Sequence, residues 1–169
     1  MTVFRRLAAL LLLTVCLAAC GEDKQEAAKP ARQVLDDVVL ETLDGAQDPL
    51  KAYHGKMVVL NIWATWCGPC RREMAGLQKL ANRLDPSQYA VIGLSIDRNP
   101  ALVREYLRGK NFTFATHIDA TGALTAERWG ISAVPTTLVI SKTGELLWVE
   151  VGERAWGDDN IPQWLQELS

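Results

Sequence analysis

Apolar and polar positions fall into three regimes along the chain. Residues 7–19 carry no charge and directly follow Arg5 and Arg6. This is the layout of a secretory signal, and the run is shorter than the ~20 apolar residues a bilayer span requires. Residues 21–33 invert the pattern, with Glu, Lys, Ala and Gln around Pro30 and no aromatic or β-branched side chain to bury, which predicts a flexible tether. From Val34 onward, apolar residues recur at strand and helix spacings in turn. Val38, Val39, Leu40 and Leu43 ahead of Asp44-Gly45 predict a short strand and turn, followed by a loop through Pro49 and Gly55. The unbroken apolar run 57–62 predicts a central strand buried on both faces.

Met74, Leu77, Leu80, Ala81 and Leu84 then repeat at helical spacing until Asp85-Pro86 stops them. Further on, the pattern predicts a strand over 89–96, a helix over 100–107 opened by Asn99, a strand over 112–118 and a helix over 121–129. Strands 136–140 and 146–151 form a hairpin around Lys142-Thr143-Gly144, and a helix over 161–168 closes the chain. Alternating strands and helices with a terminal hairpin predict an α/β sandwich built on a mixed sheet.

The end of the apolar leader bears on everything downstream. Leu17, Ala18, Ala19 and Cys20 resemble a bacterial lipobox. That resemblance implies cleavage before Cys20, lipidation of its sulfur and acylation of its new amino terminus, with the several acyl chains that stable anchoring takes. The alternative is an ordinary signal cut at a small-residue site, with Cys20 a spare thiol. The expected organisation is a signal peptide over 1–19, a lipidated cysteine and tether over 20–33, and one folded domain over 34–169. Removing Arg5 and Arg6 with the leader leaves 16 basic residues against 20 acidic ones, a net charge of −4 with His neutral. No basic patch invites nucleic acid.

Charge thus says little about chemistry, and the cysteines say more. Of the four, Cys16 leaves with the leader and Cys20 is the lipid site, so only Cys67 and Cys70 remain in the domain. Outside the cytoplasmic membrane such a pair can be oxidised, and an enzyme working in the reduced form needs an electron supply. The run Trp63-Ala64-Thr65-Trp66-Cys67-Gly68-Pro69-Cys70 joins a buried strand to a helix start, where Pro69 is tolerated because first-turn amides lack partners. Those free amides and the helix dipole favour a thiolate. Lowering a thiol pKa from about 8.5 to about 7 raises its thiolate fraction at pH 7 from ~3% to ~50%. With two residues between the cysteines, the second can reach back and resolve a mixed disulfide.

The W-C-G-P-C run after strand 57–62, together with Val134-Pro135-Thr136-Thr137, resembles the thioredoxin superfamily, and more closely its TlpA/ResA-like extracytoplasmic branch. The resemblance spans 34–169. It implies a thioredoxin-like three-layer sandwich, with an inserted strand and helix between the active-site helix and a cis-proline loop. It assigns attack to Cys67, resolution to Cys70, and substrate contact to Trp66, Gly68, Pro69, Val134 and Pro135. The last of these would pair a substrate peptide in strand fashion, and proline is the residue for which a cis peptide is readily populated. Six residues before Cys67, where cytoplasmic thioredoxins carry a buried Asp, stands Asn61, which cannot relay a proton. The related branch has an acid on the active-site helix, and Glu73 occupies that place, three residues after Cys70. Glu73 is expected to tune the dithiol, although a carboxylate near a helix start is favourable in any case.

These features imply a membrane-anchored oxidoreductase that reduces disulfides of extracytoplasmic proteins, in cytochrome c maturation or related thiol maintenance. It is expected to work as a monomer with no cofactor beyond its own Cys67–Cys70 disulfide. A membrane donor of the DsbD/CcdA type would recharge it, and inner or outer membrane is left open. Three other readings compete. A thiol-based copper or other metal site would have only His54 and His117 as imidazoles, and neither lies in a second ligand motif. A peroxidase would need a Pro- and Thr-bearing loop around its cysteine. A passive binding protein would be expected to have lost a cysteine or the Pro135 loop, and both are present.

Overall fold

A computed structural model describes residues 33–168. The expected signal 1–19, the lipidation site Cys20 and nearly all of the tether lie outside the described residues, as does Ser169. Among those described, no helix is long and apolar enough to cross a membrane.

The described residues form one sheet of seven strands: β1 (Val39–Thr42), β2 (Gln47–Pro49), β3 (Met57–Trp63), β4 (Tyr89–Ser95), β5 (Ala115–Ile118), β6 (Thr136–Ile140) and β7 (Leu146–Val151). Their order is β2-β1-β5-β4-β3-β6-β7. β3, β4 and β5 run parallel, whereas β1 and β6 flank them antiparallel. Among the described residues three α-helices accompany the sheet: α1 (Gly68–Arg83), α2 (Pro100–Leu107) and α3 (Ile161–Glu167). This is the mixed-sheet thioredoxin-like sandwich that the apolar pattern and the motif imply.

Every residue of β3 is buried, as an apolar run covered on both faces requires. Its alternation sorts two cores. Met57, Val59 and Trp63 face the cluster containing Met74, Leu77 and Leu80 of α1, Val103 of α2 and Leu165 of α3. Val58, Leu60 and Ile62 face the opposite cluster with Leu35, Val38 and Leu50. Each of these large side chains contributes roughly 1.5–3 kcal/mol by leaving water. All three α-helices thus pack on one face. The other is covered by the N-terminal segment, a 3-10 turn (Leu50–Tyr53) and a π-helical segment (Ala123–Arg128).

Three local expectations change. The loop through Pro49 contains β2, because the Asp44-Gly45 turn folds the chain back so that Glu41 pairs with Gln47 and Val39 with Pro49. The strand expected from 112 begins only at Ala115, since the Thr113 backbone N–H donates to Gln78 Oε1 (2.7 Å) instead of joining the ladder. The helix expected over 121–129 is wound in π form, with bonds from Glu127 N to Gly122 O and from Trp129 N to Leu124 O. Buried Asp119 organises its start, Oδ2 accepting from both the N–H and the hydroxyl of Thr125 at 2.7 Å.

Gly93 of β4 shows why a central strand carries a glycine. A Cβ there would lie 3.1 Å from Trp63 Nε1 and 3.4 Å from Phe114 Cε2. Gly93→Ala is therefore expected to destabilise the fold by about 1–3 kcal/mol through overpacking, seen in urea unfolding as a lower midpoint at unchanged slope.

Candidate active site

The site begins where β3 leaves the sheet. Cys67 N bonds to Ala64 O (3.2 Å) across a turn, and Asp97, just past the end of β4, holds that turn in place. Its carboxylate accepts from Thr65 N (2.8 Å), Thr65 Oγ1 (2.6 Å) and Ser95 Oγ (2.7 Å). Three donors thus satisfy this buried carboxylate and fix the approach to Cys67.

Cys67 is the N-cap of α1, and its sulfur accepts from Cys70 N at 3.1 Å. The cap position is where unpaired amides and the helix dipole converge. Cys67 and Cys70 form a disulfide, S–S 2.05 Å. Cys70 is sealed from solvent, and Cys67 keeps a small exposed face at 5%. Gly68 and Pro69 form the first turn, and Pro69 is exposed. The Val134–Pro135 peptide is cis, and the Val134 carbonyl oxygen lies 3.7 Å from Cys67 Sγ. Around this point Trp66, 67% exposed, and Val151, 66% exposed, give the dithiol an apolar rim, while Trp63 is fully buried against Tyr106. All the residues expected at the site except Cys20 are therefore gathered at the carboxyl ends of the parallel strands, beside the point where β6 reverses the sheet direction.

Glu73 lies on α1 one turn after Cys70 and is 4% exposed. Asn61 Nδ2 donates to Glu73 Oε1 at 2.7 Å and also to Thr137 Oγ1 at 2.9 Å, and Arg154 N donates to Glu73 Oε2 at 3.2 Å. Burial pushes the Glu73 carboxyl above its ordinary value of 4.5, with the bonds from Asn61 and Arg154 acting against that rise. Arg154 is itself fixed, its guanidinium bonded to Glu150 (2.8 Å) and its Cζ 4.0 Å from the Trp164 ring centroid. The contact between Asn61 and Glu73 was not legible in the sequence, which placed the two residues separately.

Sequence reasoning also missed Asp97, for which the only signal was an acid just beyond a buried strand, and a groove beside the dithiol. The groove encloses about 470 Å³ and is walled by Ile62, Trp66, Ile96, Ile131 and Val134, with Arg98 at its lining. The two imidazoles considered as metal ligands are engaged elsewhere, His54 with Asp36 at 2.7 Å and His117 with Asp48 at 2.8 Å. No cluster of three His, Cys, Asp or Glu able to hold a metal ion occurs among the described residues.

A cysteine pair capping the active-site helix of this fold, opposite a cis-proline, defines a thioredoxin-like thiol-disulfide oxidoreductase. The AhpC/TSA family model matches residues 31–149, and the chain belongs to that family. It is 28% identical over 148 residues to the thiol-disulfide oxidoreductase ResA of Bacillus thuringiensis, covering 88% of this chain and 82% of that one. It is 33% identical over 132 residues to the thioredoxin-like protein YneN of Bacillus subtilis, with 76% of each covered. Among solved structures, the exposed lipoprotein thioredoxin Etrx1 of Streptococcus pneumoniae superposes with a TM-score of 0.66 at 27% identity, covering 78% of this chain and 98% of that one.

The raised Glu73 pKa makes a signed prediction. Because the folded-state value lies above the unfolded one, the folded state binds the extra proton, and this contribution to stability is full below about pH 4.5 and lost as pH rises through the folded value. In urea titrations at a series of pH values, the stability of the wild type relative to Glu73→Gln should fall across that window and level off above it. Parallel stability curves would remove Glu73 from any proton-linked role.

Proposed function

We propose that this protein is a lipid-anchored reductase of disulfides in extracytoplasmic proteins, serving cytochrome c maturation or related thiol maintenance. The observation that carries the reading is the Cys67–Cys70 pair at the start of α1, facing the cis Val134–Pro135 peptide. In the reduced state the Cys67 thiolate attacks one substrate sulfur, and the other substrate sulfur leaves as a thiolate and takes a proton. Cys70 then gives up its proton and attacks Cys67 Sγ, releasing the second substrate thiol and leaving the protein disulfide. Two electrons pass from the dithiol to the substrate. Asn61 has no proton to relay, so Glu73, one helical turn from Cys70 with its carboxyl shifted upward, is the group assigned to exchange the Cys70 proton. Trp66, Gly68, Pro69, Val134 and Pro135 form the surface on which the substrate backbone docks.

A C-x-x-C dithiol suits exchange with protein disulfides better than peroxide reduction, and the oxidoreductase names of ResA-type relatives favour the same choice. Anchoring at Cys20 is supported by the lipobox-like run before it and by likeness to an exposed lipoprotein thioredoxin. The protein then stands on the outer face of a bacterial cytoplasmic membrane or on the periplasmic side of an outer one. A membrane thiol donor of the DsbD/CcdA type returns the dithiol to its reduced state.

The midpoint potential of the purified full-length protein, read by thiol alkylation in a dithiothreitol series, tests the direction. A value near that of thioredoxin, about −270 mV, is expected, and a value near DsbA's, about −120 mV, would make the protein an oxidant. In cells, Cys70→Ser should accumulate mixed disulfides that vanish in Cys67→Ser/Cys70→Ser, and their absence would count against Cys67 as the attacking thiol. Cys20→Ser should move the protein from the membrane to the soluble fraction and abolish palmitate labelling. Retention on the membrane would overturn the anchor.

A further inference from the structure

The groove beside the dithiol contains a cation with nothing to bind. Arg72, Arg83, Arg104, Arg108, Arg128 and Arg154 each meet a carboxylate. Arg98 is exposed, lines the groove, and makes no hydrogen bond or ion pair among the described residues. The other charged group in the lining is Asp119, but its charge is turned inward. It is 8% exposed, its Oδ2 accepts twice from Thr125, and Leu124 N lies 3.4 Å from Oδ1. The charge offered to an occupant is therefore that of Arg98.

Position decides what the occupant is. Val134 walls the groove, and its carbonyl oxygen is 3.7 Å from Cys67 Sγ. Trp66, the residue before Cys67, forms another wall. The groove mouth therefore adjoins the approach to Cys67, within reach of a polypeptide whose disulfide Cys67 attacks. On the opposite flank of the dithiol Arg72 is paired with Glu153 at 2.6 Å and Arg154 with Glu150 at 2.8 Å, and Arg71, exposed beside Cys70, is not part of the groove lining, so Arg98 is the cation that the groove itself presents. About 470 Å³ of space with apolar walls and a polar edge is in the range of sites that take a sizeable side chain.

We propose that this groove receives the polypeptide flanking the substrate cystine, with an apolar side chain against Trp66 and Ile131 and a carboxylate paired to Arg98. The protein thereby selects disulfides that have an acidic residue nearby. The proposal rests on the reading that protein disulfides are the substrate, and adds which side chains beside them are recognised.

The test uses full-length protein reduced with dithiothreitol and freed of it, mixed with disulfide-linked peptides of one sequence that carry Glu, Gln or Lys within four residues of the cysteine. Each reaction oxidises one protein dithiol to the disulfide and yields two peptide thiols, followed by chromatography. Wild type is expected to favour Glu over Lys peptides by about fivefold in kcat/KM, the scale of a solvent-exposed ion pair, and to lose that preference in 0.5 M salt. Arg98→Gln should bring the ratio near one, and Arg98→Glu should invert it, each ratio being taken within a single variant. Equal rates for Glu and Lys peptides in wild type, or a preference unchanged in Arg98→Glu, would overturn the proposal while leaving protein-disulfide reduction intact. Failure to reduce any of the peptides, with the uncharged hydroxyethyl disulfide still reduced, would overturn the protein-substrate reading itself.

Discussion

A carboxylate buried one helical turn from a redox-active cysteine can persist only if fixed donors surround it, and Glu73 is where the architecture meets that demand. Its two oxygens are held by a side chain of β3 and by a backbone N–H from the segment between β7 and α3, and the β3 donor is itself bonded to β6 through Thr137. Four elements that bring the dithiol, the cis-proline loop and the closing helix together are thus tied through one acid. Burial raises its pKa and the bonds restrain the rise. The group consequently holds its proton to higher pH than an exposed glutamic acid does.

Around that acid, two further carboxylates do structural work at the same end of the sheet. Asp97 follows β4 and ties down the turn entering Cys67, and Asp119 follows β5 and starts the π-helical segment. Both are buried and fully engaged, so neither offers its charge to a visitor. The available formal charge in the groove lining is that of Arg98, which gives the docking face a polarity that the rim, apolar in Trp66, Val134 and Val151, lacks. The parallel strands end here, and the direction of the sheet reverses between β3 and β6, so the crevice is a consequence of topology.

Much of the fold was legible because it depends on local period and punctuation. The continuous apolar run of β3, the helical spacing of Met74, Leu77 and Leu80, and the stop at Asp85-Pro86 each specify an element without reference to distant residues. The elements that departed from expectation did so for tertiary reasons. β2 exists only through its pairing with β1, β5 is shortened because Gln78 captures the Thr113 backbone, and the segment after Asp119 takes π form around a buried carboxylate. Propensity is a weak prior beside such contacts.

Residue type and spacing were enough to specify the chemistry: two cysteines in one C-x-x-C run at a strand-to-helix junction, and a Val-Pro pair far along the chain. Helix-end electrostatics and thiol exchange depend on residue type and spacing, which are local. Folding was needed to bring Asn61 and Glu73 into a hydrogen bond, to set Asp97 against the approach to Cys67, and to leave Arg98 unpaired in the groove. Burial, partner satisfaction and the availability of a charge are properties of what surrounds a side chain, and residues up to 81 positions apart supply those surroundings here.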